Sequence, residues 1–141
     1  MERIISVAEP GRLLHIIYRE ADLIGQTQRG VDITPEEMAL QARAIRATAG
    51  TVFPAHRHYP QERVTDATQE SIIVMRGRVK AVYYDTDGVP ITEVTLAAGD
   101  LTVTFAGGHR FEILDNDTLL YEHKNGPYNG KARDKEMLPD G

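Results

Sequence analysis

The chain has no cysteine and no tryptophan, and aromatic residues fill only 6% of its 141 positions. Without cysteine there is no disulfide framework and no thiolate site, so imidazole and carboxylate must supply the ligands of any bound metal. The lack of thiols fits a cytoplasmic chain. No apolar run approaches the ~20 residues that a membrane span needs. The opening stretch from Met1 to Pro10 is too acidic and too poor in apolar residues for a signal peptide. Positive charge is also in deficit, with 16 Lys and Arg against 21 Asp and Glu, a net charge of −5. Binding to nucleic acid or to an anionic membrane needs a basic face. The expectation is a cytoplasmic protein whose partner is neither.

What is present suits one globular domain: 41% hydrophobic and 26% charged residues. Leu13 to Tyr18 follows the Pro10-Gly11 turn pair and is apolar and β-favouring, which predicts a strand. Residues 20–33 are polar with two glycines and read as a loop. Thr34, Pro35 and Glu37 form a helix-start signal: an N-cap, a proline at the first helical position and a glutamate three residues after the cap. From Glu36 to Arg46 the composition favours a helix, yet the side chains also alternate as in a strand, and the residues leave both open. Beyond them, strands are predicted at 71–75, 79–85, 91–96, 101–105, 109–114 and 118–124. Arg76-Gly77-Arg78 and Thr86-Asp87-Gly88 read as hairpin turns, with further turns at 98–100 and 115–117. Short strands at this spacing predict an all-β, antiparallel sandwich or barrel.

The stretch from Gly50 to Gly77 carries the chemistry. In an extended chain His56 and His58 share one face, and two imidazoles on one face are half a metal site. Glu70 opens an apolar, β-branched run that ends at Gly77, which places a third ligand type at a strand start. Gly50, five residues, His56-x-His58, then Glu70, six residues and Gly77 resembles the first motif of the cupin superfamily. Gly99 to His109 resembles the second. There are departures. Eleven residues separate His58 from Glu70 where three or four are usual, and Phe105 stands where proline is usual. Glu62 lies at the usual distance from His58, but no glycine follows it at the right place, so Glu70 is preferred.

The resemblance implies a cupin-type β-barrel (jelly roll) over residues 40–125, with an N-terminal strand and loop arm over 1–39 and a C-terminal tail over 126–141. It favours one helical turn after Thr34 and then a strand from about Leu40 to Thr48. It also implies one divalent transition metal (Fe, Mn, Zn, Ni or Cu) held by His56, His58, Glu70 and His109.

Other residues bear on function. His15, inside an apolar strand with no second ligand type nearby, reads as a core or interface histidine. If His109 faces inward, strand parity carries Phe111 and Ile113 with it. Leu120, Glu122 and Lys124 share one face of the last strand, making Glu122 and Lys124 candidate acid/base or substrate-orienting groups. Arg57 and Arg63 read as surface arginines near the mouth. Glu-x-Lys before Gly126-Pro127-Tyr128, followed by Asp134-Lys135, resembles small single-domain cupins linked to polysaccharide and sugar-nucleotide biosynthesis. That likeness implies a small-molecule ligand such as a sugar or sugar nucleotide, with isomerase/epimerase or dioxygenase chemistry. The alternative is a non-catalytic metal- or carbohydrate-binding cupin. The apolar strand from Leu13 to Tyr18 lies outside the motifs and is expected to need a partner surface, hence a homodimer.

Overall fold

A computed structural model describes residues 1–26 and 29–138. It is mostly β, and every strand pairing is antiparallel. The strands are β1 (Glu2–Ile5), β2 (Leu13–Tyr18), β3 (Gly30–Asp32), β4 (Arg43–Ile45), β5 (Glu70–Arg76), β6 (Arg78–Tyr84), β7 (Pro90–Ala97), β8 (Leu101–Thr104), β9 (Gly108–Ile113) and β10 (Leu119–Lys124). Two short helices, α1 (Glu20–Ile24) and α2 (Lys131–Asp134), complete the described elements. A five-stranded sheet runs β1-β2-β8-β5-β10, a three-stranded sheet runs β7-β6-β9, and β3-β4 form a ribbon. Among the described residues the two larger sheets keep open edges, at β1 and β10 and at β7 and β9.

Alternation explains how the sheets stack. One core cluster joins Ile4, Ile17 and Val74 of the five-stranded sheet to Val79, Ala81, Tyr83 and Leu96 of the three-stranded one. A second lies on the other face of β2 and β8, where Ile16, Tyr18 and Val103 meet Ile33, with residues of the ribbon packed against them. The five-stranded sheet is therefore covered on both faces over β2 and β8. That accounts for the near-continuous apolar run of β2, since a strand buried on both sides loses the apolar–polar alternation. The strand that was expected to seek a partner surface is buried by its own chain.

From β5 onward the chain passes from one sheet to the other and back. Arg76-Gly77-Arg78 is not a hairpin turn: β5 belongs to the larger sheet, while β6 pairs with β7 and β9. One residue cannot reverse a ladder, but it can turn a corner, and Gly77 does so at φ 80° with Thr118 packed where a Cβ would sit. Asp87-Gly88 does close a hairpin, between β6 and β7.

The expected helical turn after Thr34 is reduced to a single i→i+3 turn, in which the Met38 amide donates to the Pro35 carbonyl at 3.1 Å, and no helix is formed. The Thr34 hydroxyl accepts from the Ala42 amide instead of capping a helix. The Gln41 side chain donates to the carbonyls of Pro35 and Met38, which a helix would need for its own ladder. The strand that follows is confined to β4. The loop expected over 20–33 holds α1 and β3, and Asp22 accepts from the Arg19 amide at the helix start. Residues 27 and 28 of that loop lie outside the described ones. No helix among the described residues is long and apolar enough to cross a membrane.

Candidate functional site

Strand register sets one polar row across the inner face of the five-stranded sheet. His15 on β2 lies opposite Thr104 on β8, Thr104 opposite Glu70 on β5, and Glu70 opposite Lys124 on β10. Directly opposed residues point to the same face, so these four side chains line up on one face. From the other sheet β9 delivers His109 onto the row. Its Nε2 lies 3.2 Å from Glu70 Oε1, and its Nδ1 lies 3.1 Å from Thr104 Oγ1. Thr104 Oγ1 is in turn 3.1 Å from His15 Nδ1, and His15 Nε2 is 3.4 Å from the Tyr84 carbonyl oxygen.

The row forms part of the wall of a cavity of about 680 Å³, which is lined by Glu70, Thr104, His109, Phe111, Glu122 and the tail residues Asp134 to Leu138, among others. The Glu70 side chain keeps 13% of its exposure and His109 keeps 25%. Both reach the cavity, yet neither is bathed in water. His15, at 0%, is sealed behind them. The tail is tethered over the mouth by Lys124 Nζ, which is 2.9 Å from Asp134 Oδ2 and 4.9 Å from the centre of the Tyr128 ring.

Charge follows this geometry. The hydrogen bond with His109 lowers the Glu70 pKa. Burial opposes that, and the positive charges of His109, Lys124 and Lys135 add to it. Burial brings the His15 imidazole down from 6.5 to about 4. The hydrogen bond and charge of Asp134 raise the Lys124 pKa against desolvation. Nearby Asp85 is pushed up by burial, but hydrogen bonds from Ser6 and from the amides of Ala8, Thr86 and Val7 outweigh this and hold it well below the usual carboxylate range. Asp85 thereby pins the β1–β2 connection at the cavity rim.

The expected site residues divide into two groups. Glu70 and His109 come together. Glu122 lines the cavity, and Lys124 lies 3.7 Å from it but is turned toward Asp134. His56 and His58 do not join them. They sit in a segment from Arg46 to Gln69 that has neither strand nor helix, and every residue from 52 to 66 is exposed. Their rings meet edge to face with centroids 5.2 Å apart. No strand forms there, for Pro54 and Pro60 lack the amide hydrogens of a ladder and no described strand pairs with the segment. Glu62, Arg57 and Arg63 lie in the same exposed segment, and Arg63 borders a smaller hollow of about 460 Å³ with Glu36 and Gln69. The segment is fixed again at Gln69, whose amide donates to Asn125 Oδ1 at 2.7 Å and whose Oε1 accepts from the Leu40 amide at 2.8 Å.

Inward parity of His109 holds for Phe111, which packs on the core, whereas Ile113 at the strand end is 54% exposed. Among the described residues no group of three or more His, Asp or Glu side chains converges to hold a metal. Thr104 and His15 are the participants that sequence reasoning did not assign, because their roles depend on register rather than on any local motif. Compared with protein-family models, with curated proteins and with solved structures, the chain matches none.

Proposed function

We propose that this protein is a metal-binding, cupin-type β-sandwich that acts on or binds a small oxygenated compound such as a sugar or sugar nucleotide. One observation carries the reading: Glu70 and His109 leave different sheets and meet at 3.2 Å in the cavity. Two donors each about 2.1 Å from one ion, at roughly 90–110° to each other, are about 3.0–3.4 Å apart. The pair therefore fits two adjacent ligands of one divalent ion, among Fe, Mn, Zn, Ni and Cu. His56 and His58 would complete the set from the Arg46–Gln69 segment. The chain's passage between two antiparallel sheets also supports the jelly-roll reading.

A bound divalent ion would supply Lewis-acid polarisation of a substrate oxygen. The protein's own groups do the rest. The cavity is of the size that encloses a small ligand. Arg12 and Lys135 with Glu122 and Glu136 offer donors and acceptors together, which suits a hydroxyl-rich compound. Glu122 is placed to accept a proton, and Lys124 to hold the tail through Asp134. Isomerase or epimerase chemistry needs only such proton movement, whereas dioxygenase chemistry needs iron or another redox metal. A homodimer, if formed, would use the open edges at β1 or β7 rather than β2.

The second reading, a non-catalytic carbohydrate binder, draws on the position of His56 and His58 in solvent. Metal analysis separates the two. The metal reading expects wild-type protein to retain about one equivalent of zinc near neutral pH, Glu70→Gln to weaken retention, and Glu62→Gln to leave it unchanged. Failure of the wild type to retain any metal would hand the site to the binder.

A further inference from the structure

We propose that residues 131–138 form a strap that closes the cavity over Glu70 and His109 and swings away to admit a ligand, with Lys124 as its latch. The inference deepens the reading of the cavity as a ligand site, since it says how a ligand enters, but it makes no use of a metal. The strap is held at two points. At the first, Lys124 Nζ lies 2.9 Å from Asp134 Oδ2, and the centre of the Tyr128 ring lies 4.9 Å from the same nitrogen. At the second, Leu138 sits in a notch that two glycines keep open. A Cβ at Gly108 would strike Leu138 Cδ1, and one at Gly88 would come within 3.5 Å of Leu138 Cδ2. Gly108 directly precedes His109 on β9, so the leucine is seated beside the functional pair.

The strap differs from the walls around it. Glu70, Thr104 and His109 are fixed by ladders on β5, β8 and β9. The backbone hydrogen bonds of the strap stay within the tail: the Arg133 amide donates to the Gly130 carbonyl, and the Lys135 amide to the Lys131 carbonyl. Among the described residues no backbone hydrogen bond joins the strap to a strand. The last tie of that kind is at Asn125, whose amide donates to the Gln69 carbonyl at 3.2 Å. The chain turns into the strap at Gly130, where φ 92° and ψ 151° suit only glycine. Burial marks the same two anchors. From 131 to 138 only Asp134 and Leu138 are partly covered, and the other residues are exposed. A partly exposed ion pair and one half-buried leucine are weak ties, and a segment held by such ties opens without unfolding the sheets beneath it. Lids of this kind shut a site from water and open to let ligand pass.

Diethyl pyrocarbonate, which acylates accessible imidazoles, tests the strap on metal-free protein, with each histidine read by peptide mass mapping. The five histidines supply their own controls. His56, His58 and His123 are exposed, His15 is sealed, and the His109 side chain keeps 25% of its exposure at the cavity. In wild type His109 should react more slowly than the exposed rings. Leu138→Gly empties the notch without changing charge, and Asp134→Asn removes the partner of the latch. Each should speed the reaction of His109 by about five-fold while His15 stays unmodified. The double variant Gly108→Cys/Leu138→Cys locks the strap, since the chain has no other cysteine. Its oxidised form should slow His109 by about five-fold or more, and reduction should restore the rate. An unchanged His109 rate in Leu138→Gly and in the oxidised double variant would overturn the strap. Reaction of His15 together with His109 would overturn it too, because the opening would then lie in the sandwich. If the protein binds no zinc, the metal reading fails, and these rates still decide the strap.

Discussion

The polar row behind Glu70 and the segment before it are joined at Gln69 and are built by opposite means. Glu70, Thr104 and His15 are each fixed by ladder bonds on strands buried in the sandwich, so their side chains meet by register. His56 and His58 sit on exposed backbone between Pro54 and Pro60, where no ladder holds them. Half of the expected ligand set is thus held by the sheets, and the other half lies on exposed chain without secondary structure. Long segments without secondary structure in compact domains are commonly functional. On the proposed metal reading, the fold-held pair would set the geometry of the site and the exposed pair would complete it.

The widest gap between the regions should appear in stability. Ile17 is fully buried between the sheets, and Ile17→Ala should cost about 2–5 kcal/mol in denaturant unfolding. Val52 is 78% exposed in the segment, and Val52→Ala should stay within about 0.5 kcal/mol. Comparable costs would mean that the segment is packed in solution and would erase the distinction.

A somewhat smaller effect belongs to pH. Burial holds the folded-state pKa of His15 at about 4, below its ordinary 6.5. Between those values the unfolded chain takes up a proton that the folded chain refuses. Stability is therefore complete above the upper value and is lost as pH falls through the window, by up to about 3 kcal/mol. The lowered pKa of Glu70 acts in the same direction, its contribution being lost as pH falls further. His15→Phe, which removes the titrating ring, should flatten the slope between pH 6.5 and 4, as read by urea midpoints across that range. An unchanged slope would show that His15 is not the sealed neutral ring described here.

The sequence shows the strands from β5 to β10 to within a residue or two, because their alternation is clear and Asp-Gly or Gly-Asp pairs mark the turns. It does not show which sheet each strand joins, since Gly77 reads the same whether it closes a hairpin or turns a corner between sheets. The helix-start signal at Thr34 fails because the Gln41 side chain and the Ala42 amide use the groups a helix would need, a competition set by tertiary folding. Glu70 and His109 are readable as candidates from their motifs, but their contact is not. His15 looks like an ordinary core histidine in sequence, and only the register across β2, β8 and β5 makes it a partner of the site.

The smallest expected change concerns the tail. Asp134→Ala removes the partner of Lys124 at the cavity mouth, where the two side chains keep 11% and 21% of their exposure. A loss of about 1 kcal/mol is expected from such a partly buried pair. Faster proteolysis confined to residues beyond Asn125 would locate it, and no change in either readout would detach the tail from the cavity.

X-ray absorption of the zinc-loaded protein tests most directly whether the fixed and the loose halves meet on one ion. Wild type should show three imidazoles and one carboxylate around zinc, falling to a single imidazole in the His56→Ala/His58→Ala double variant. A single imidazole already in wild type would contradict the joining of the two halves.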